Sequence, residues 1–400
     1  MKKIFFLFLL AFLLRFFFVC IWYRTGYGNH LSSDTHSYYS IARSLSAGEG
    51  YKLDGVPSAR RPPGYPFLLV PFIKLNFFPF GVQLLQALIG ALSCFFLYQL
   101  TKSIFGDPAA ILAALLMAVD YSFIRLSAVV LPESLFILLI LLYLFFLMRY
   151  VRGGRIFFLI LSGAFAGFCM LTKDTLMFYF PVVAVWLAIR KSSIRFASVK
   201  SAVLFLSIIF LTLLPWNIRN LGIFNEAVLT TPTLGHTLYV ANNPYATGGR
   251  TGGDWEWNKD SYLPPDPARP PLLTPEADRY LLNQALGFIV HHPRHFLKLA
   301  ALKAFNMWRP YQTDSPSIAK WLTALSYVPV ILLGLVGLFR HIRRWFELFP
   351  LVSIIGYVFL LHSVMIAHIR YRYPVMPVFM LLAAQTLISL WKPKTFTPSS

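Results

Sequence analysis

The sequence predicts an all-α polytopic membrane protein, and three observations carry the prediction. Hydrophobic residues make up 57% of the 400 residues, charged residues only 13%, and the mean hydropathy is +0.62. That is more apolar surface than a soluble core buries, which excludes a disordered chain and a globular cytosolic enzyme. Apolar runs of about 17 to 25 residues recur along the chain, the length a helix needs to cross a bilayer. The net charge of +20 falls in short clusters between those runs. The positive-inside rule accounts for such clusters, so no nucleic-acid partner is implied.

Taken in order, the runs predict about ten spanning helices, at 4–23, 81–104, 108–124, 130–149, 156–172, 175–190, 199–215, 318–339, 346–364 and 373–391. Lys2 and Lys3 precede the first run as in a signal peptide. The run is long and no small-residue cleavage site follows it, so it reads as a retained helix. Cys20, Cys94 and Cys169 all lie inside apolar segments and suggest neither a disulfide framework nor a zinc site.

Basic clusters at Lys2/Lys3, Lys102, Arg149/Arg152/Arg155, Arg190/Lys191/Arg195/Lys200, Arg340/Arg343/Arg344 and Lys392/Lys394 fall on one side. The short turns opposite hold Arg125, Lys173, Arg370 and Arg372. This asymmetry predicts a plasma (inner) membrane protein with both termini in the cytoplasm. Three regions follow: an N-terminal transmembrane module over 1–215 with a functional first outer loop at 24–64, an extracytoplasmic region over 216–317, and C-terminal transmembrane helices over 318–400.

The first outer loop contains an amphipathic pattern from His36 to Ala47. The Pro62-Pro63-Gly64-Tyr65-Pro66 turn leads into an apolar stretch, 67–80, that is too short and Pro-broken to span. The second outer segment is rich in Pro, Gly, Trp and Asn and reads as irregular. Residues 294–308 within it have the pattern of a surface-lying amphipathic helix.

The polar chemistry gathers on this outer face. Asp34 directly precedes the amphipathic stretch. It either caps that helix or acts as a general base toward an incoming hydroxyl or amine. His30 and His36 flank it, but their spacing fits no single helical face, so a metal is not favoured. Glu133 opens the fourth helix at its outer end, where the helix dipole suits an acid and a lipid-facing carboxylate would be costly. Lys173-Asp174 lie in a tight outer turn as an ion pair or as functional groups. Arg60, Arg61, Arg219, His368, Arg370 and Arg372 all stand on the face that the positive-inside rule depletes. Singly each is a snorkelling cation. As a set, they point to an anionic ligand, and guanidinium matches phosphate geometry. No P-loop, GxGxxG or HExxH occurs.

These residues resemble a family. Asp34 through Tyr39 with Ala42, Leu45, Gly48 and Gly50-Tyr51 resemble the first-loop acidic motif of the GT-C polytopic glycosyltransferases. The branch is that of dolichyl-phosphate-mannose protein mannosyltransferases and bacterial lipid A aminoarabinose transferases. Arg61 to Pro66, Phe105 to Ala110, Leu131 to Phe136, Pro215 to Asn220 with Asn242-Asn243-Pro244 and Gly248, and Arg370 to Pro374 are similar to further motifs in the same order. The resemblance implies sugar transfer from a polyprenyl-phosphate donor to a lipid, glycan or protein acceptor at the extracytoplasmic face. Asp34 and Glu133 would be the catalytic acids, with Asp34 as the base. Arg60, Arg61, Tyr65, Lys173, Arg219, His368, Arg370 and Arg372 would bind donor and lipid phosphate. An inverting displacement without a metal is implied. Thr35 stands where many relatives carry a second acid, and the chain is short for the group. A flippase of lipid-linked sugars and a ligase or polymerase using a diphosphate donor are the competing readings.

Overall fold

The computed structural model describes residues 2–26, 33–190, 195–248, 270, 274–311 and 316–391. His30 and most of the stretch from Asp254 to Pro271 lie outside the described residues. Among those described are sixteen α-helices and a single two-stranded hairpin, Lys52–Leu53 against Val56–Pro57.

Each anticipated span contains a helix. Among the described residues, six helices are long and apolar enough to cross a membrane: Lys2–Arg24 (α1), Phe80–Phe105 (α4), Glu133–Gly153 (α7), Arg195–Phe224 (α10), Ser317–Arg340 (α14), and the stretch Ile369–Trp391 ending in α16 (Met376–Trp391). Shorter apolar helices occupy the other positions: Asp107–Val119 (α5), Ile156–Thr172 (α8), Tyr179–Ile189 (α9) and Phe349–Val364 (α15). Large apolar side chains such as Phe5, Phe17, Phe210 and Leu325 stay exposed around the bundle, the surface expected to face lipid.

The anticipated third span, 108–124, is instead broken. α5 ends at Val119, and the Asp120 carboxylate accepts hydrogen bonds from Ser122 N (2.8 Å) and Phe123 N (3.2 Å) to cap α6, Tyr121–Leu126. The freed carbonyls at the end of α5 find a donor in α1. The fully buried Arg15 donates to Met117 O (2.9 Å), Ala118 O (3.1 Å) and its own Ala11 O (2.9 Å). Gly90 on α4 makes room for it, since a Cβ there would lie 2.5 Å from Arg15 Nε. The seventh helix also differs: α10 continues through Pro215 to Phe224, carrying Trp216 and Arg219 on its last turns.

Beyond the bundle, α2 (Ser33–Ser46) and α13 (Pro293–Trp308) match the two anticipated amphipathic stretches, and α3 (Gly64–Lys74) fills most of the apolar stretch after the Pro-Pro-Gly turn. The outer region is more regular than its composition suggests. α11 (Leu234–Ala241) packs on α12 (Pro275–His291), whose start is capped by Thr274 Oγ1 accepting from Ala277 N at 3.1 Å. Lys303 on α13, buried, donates to Val364 O (2.6 Å) and Asn242 Oδ1 (2.9 Å), tying this region to the end of α15.

Candidate active site

Asp34 sits in the first turn of α2, which is pinned in place by Thr35 Oγ1 donating to Val130 O (3.0 Å), just before α7. Arg61 arrives from the loop before α3. Gly64 brings the start of α3 against the end of α8, where a Cβ would meet Leu171 O at 2.8 Å. Lys173 follows α8 directly, and Arg370 lies in the 3-10 stretch Ile369–Val375 that precedes α16. His368 begins that stretch, its Nδ1 accepting from Arg370 N at 3.1 Å.

These five elements converge on one ion-pair cluster. Asp34 Oδ1 accepts from Arg61 Nη2 at 2.6 Å, and Asp34 Oδ2 accepts from Arg370 Nη2. Glu133 Oε1 accepts from Lys173 Nζ at 3.0 Å and lies 3.7 Å from Arg370 Nε. Arg370 thus joins both carboxylates, across 336 residues of sequence in the case of Asp34. Both acids are buried, Glu133 almost completely. Burial by itself would raise the Asp34 carboxyl, but the Arg370 and Arg61 guanidiniums outweigh it and hold the group well below the usual carboxylate range. Arg61 also lies over the Tyr38 ring, 4.9 Å from its centre.

The remaining anticipated residues divide. Arg60, half-buried, is within electrostatic reach of Arg61, Asp34 and Asp54. Tyr65 is a core residue, donating to Gln86 Oε1 at 2.7 Å and meeting Tyr38 edge-on. Arg219 is not brought to the carboxylates. It donates to Ser58 O (2.8 Å), Tyr51 O (2.9 Å) and Asn220 Oδ1 (2.8 Å) between the rings of Tyr51 and Trp216. Arg372 is likewise committed elsewhere. Buried over the Tyr327 ring, it donates to Met307 O (3.1 Å) and Arg309 O at the end of α13. Both act as backbone clamps because a loop or helix end places unpaired carbonyls beside them. The reading of Asp34 as a helix cap alone does not describe its contacts, since both its oxygens accept from guanidiniums.

Two residues not anticipated as site residues also border the cluster. Tyr371 has Lys173 Nζ 4.9 Å and Arg370 Cζ 5.3 Å from its ring centre, and His362 of α15 stacks on it at 4.5 Å. A histidine near the end of an apolar run was the available signal. Among the described residues, no three His, Cys, Asp or Glu side chains gather as a metal site.

Residues 60–217 match the family described as Dolichyl-phosphate-mannose-protein mannosyltransferase. No curated protein matches the chain. The fold is similar to that of the Archaeoglobus fulgidus oligosaccharyltransferase tethered with an acceptor peptide. The TM-score is 0.55 at 13% identity, over 90% of this chain and 46% of that one. The same archaeal enzyme in complex with an inhibitory peptide and a dolichol-phosphate gives 0.52 at 14% identity, over 91% and 47%. The Cupriavidus metallidurans protein ArnT bound to undecaprenyl phosphate gives 0.42 at 16% identity, over 90% and 74%. The chain thus spans about half the length of the archaeal enzyme it resembles. The segment matched to the mannosyltransferase family, less than half of the chain, carries Arg61, Glu133 and Lys173, and the similarity to the archaeal enzyme is one of fold.

Proposed function

We propose that this protein is an integral-membrane glycosyltransferase. It moves a sugar from a polyprenyl-phosphate carrier to a lipid, glycan or protein acceptor at the extracytoplasmic face of the inner membrane. The observation that carries the reading is the charge inventory of the buried cluster. Three cations, Arg61, Lys173 and Arg370, face two carboxylates, Asp34 and Glu133. One positive charge is left over, which matches the single negative charge of a phosphodiester-linked sugar donor. A diphosphate donor would leave the site negative. A flippase gives no reason for a carboxylate to compete with the ligand for the same guanidiniums.

The chemistry follows from that competition. Paired to Arg61 and Arg370, Asp34 is a weak base. A donor phosphate that draws those guanidiniums away returns the buried carboxylate toward its ordinary basicity or above. The acceptor hydroxyl or amine then attacks the anomeric carbon from the face opposite the phosphate. As that bond forms, the bond from the anomeric carbon to the phosphate oxygen breaks. The electron pair leaves with the lipid phosphate, whose charge Arg61 and Arg370 stabilise, and the acceptor proton passes to Asp34. One displacement inverts the anomeric centre and uses a single base, with no step that requires a metal.

The test is mass spectrometry of the cell envelope from wild type, a deletion strain and Asp34→Asn at matched membrane expression. One sugar-sized mass should disappear from the same lipid or glycan in both mutants, naming sugar and acceptor together. A change in the deletion strain that Asp34→Asn does not reproduce would favour the flippase or the ligase. In membranes, a polyprenyl-monophosphate sugar should support transfer where the diphosphate does not.

A further inference from the structure

Two buried hydrogen-bond acceptors beside the cluster have no hydrogen-bond partner among the described residues. Glu133 Oε2 is one; its other oxygen is taken by Lys173. His362 Nε2 is the second, in a side chain only 6% exposed. His362 Nδ1 lies 3.0 Å from the carbonyl of Ile366, which only accepts, so the ring proton sits on Nδ1 and the neutral ring keeps a lone pair on Nε2. A second proton would add a third cation beside Lys173 and Arg370.

The two acceptors belong to one wall. His362 lies flat on Tyr371, ring centres 4.5 Å apart and planes within 5°. Lys173 Nζ is 4.9 Å from the Tyr371 ring centre and 3.0 Å from Glu133 Oε1. This fixes the imidazole against rotation by a stack on one side and a backbone bond at Nδ1. Buried acceptors of this kind require O–H or N–H donors, and a second phosphate offers neither near neutral pH. A sugar presents several hydroxyls within a few ångströms of its anomeric phosphate.

We propose that Glu133 Oε2 and His362 Nε2 form the donor-sugar subsite, each accepting a hydrogen bond from a hydroxyl of the sugar carried on the lipid phosphate. The inference rests on the transferase reading above. It adds that the ligand held by this wall is a polyol and that His362 is a binding residue for it, while the phosphate is held by Arg61 and Arg370.

Binding by the purified full-length protein in nanodiscs tests it, using decaprenyl phosphate and decaprenyl phosphate bearing mannose, glucose or arabinose. His362→Phe keeps the stack on Tyr371 and removes Nε2. It should weaken the preferred sugar-bearing lipid by roughly five- to twentyfold, the effect of one lost hydrogen bond, and leave bare decaprenyl phosphate within about twofold. His362→Gln, which restores an acceptor, should recover part of the loss. Equal losses on both lipids, or none on the sugar-bearing one, overturn the subsite. On the unaltered protein, monodeoxy versions of the preferred sugar supply the same reading: at least one must bind several-fold more weakly, and a series with no such member overturns the subsite too. A wild type that binds none of the four lipids overturns the subsite and the transferase reading together. A wild type that binds bare and sugar-bearing lipid, with His362→Phe identical to it, overturns the subsite alone.

Discussion

Replacing Asp34 by Asn should move phosphate affinity and turnover in opposite directions. The carboxylate accepts from Arg61 at 2.6 Å and from Arg370, so a donor phosphate must recruit guanidiniums that are already engaged. A full charge pair at about 4 Å with an effective dielectric near 20 is worth roughly 4 kcal/mol before desolvation. Desolvation of both partners offsets most of this, leaving a competition of about 1–2 kcal/mol. Asn keeps the shape and one acceptor oxygen but removes the charge. Decaprenyl phosphate should therefore bind about 5- to 30-fold more tightly to Asp34→Asn, measured by equilibrium binding in nanodiscs. Transfer should fall by about 10²- to 10⁴-fold, the usual contribution of a positioned base, in a single-turnover assay at matched folded protein. An affinity that falls, or a transfer rate retained within about threefold, would refute the argument that Asp34 both masks the phosphate site and serves as base.

Three further outcomes follow from particular contacts. The two ion pairs of Asp34 stabilise the protein fully above the carboxyl's ordinary value of 3.8 and are lost as pH falls through its lowered folded value. The stability difference between wild type and Asp34→Asn in denaturant should then hold steady from about pH 8 to about pH 5 and shrink below about pH 4. Arg15→Leu strips three carbonyls at the α1–α5 contact of their donor and should cost about 2–4 kcal/mol of stability in detergent unfolding, with decaprenyl phosphate affinity per folded molecule unchanged. Arg219→Gln should cost about 1–3 kcal/mol by releasing Ser58 and Tyr51 from α10, again with lipid-phosphate affinity within about twofold; a tenfold loss would restore Arg219 as a phosphate ligand.

How much of this was legible in the sequence depends on how local the determining physics is. Crossing a bilayer requires a continuous apolar run, so each of the ten helical positions could be read from composition within a short window. Asp34, Arg61, Glu133, Lys173 and Arg370 stood out for a similar reason: charges at the ends of apolar helices on the basic-poor face are individually conspicuous. The break at Asp120 was not read, because its cost falls on carbonyls of α5 and the compensating donor, Arg15, comes from another helix more than a hundred residues away. α11 and α12 were not read either, since their faces are buried against each other rather than in lipid and leave no long apolar run.

The sequence could not sort the basic residues into ligands and clamps. Arg219, Arg370 and Arg372 have the same chemistry and the same position at a helix end. Only the fold decides that Arg370 meets two carboxylates while Arg219 and Arg372 meet unpaired backbone carbonyls. The sequence by itself determined the helices, the membrane setting and the shortlist of charged groups, because hydrophobic length and helix-end charge are properties of contiguous residues. The tertiary structure decided the pairing of Asp34 with Arg370 and the wall from Glu133 to His362, because hydrogen bonds and ion pairs act over about 3–4 Å and depend on which distant segments packing brings within that reach.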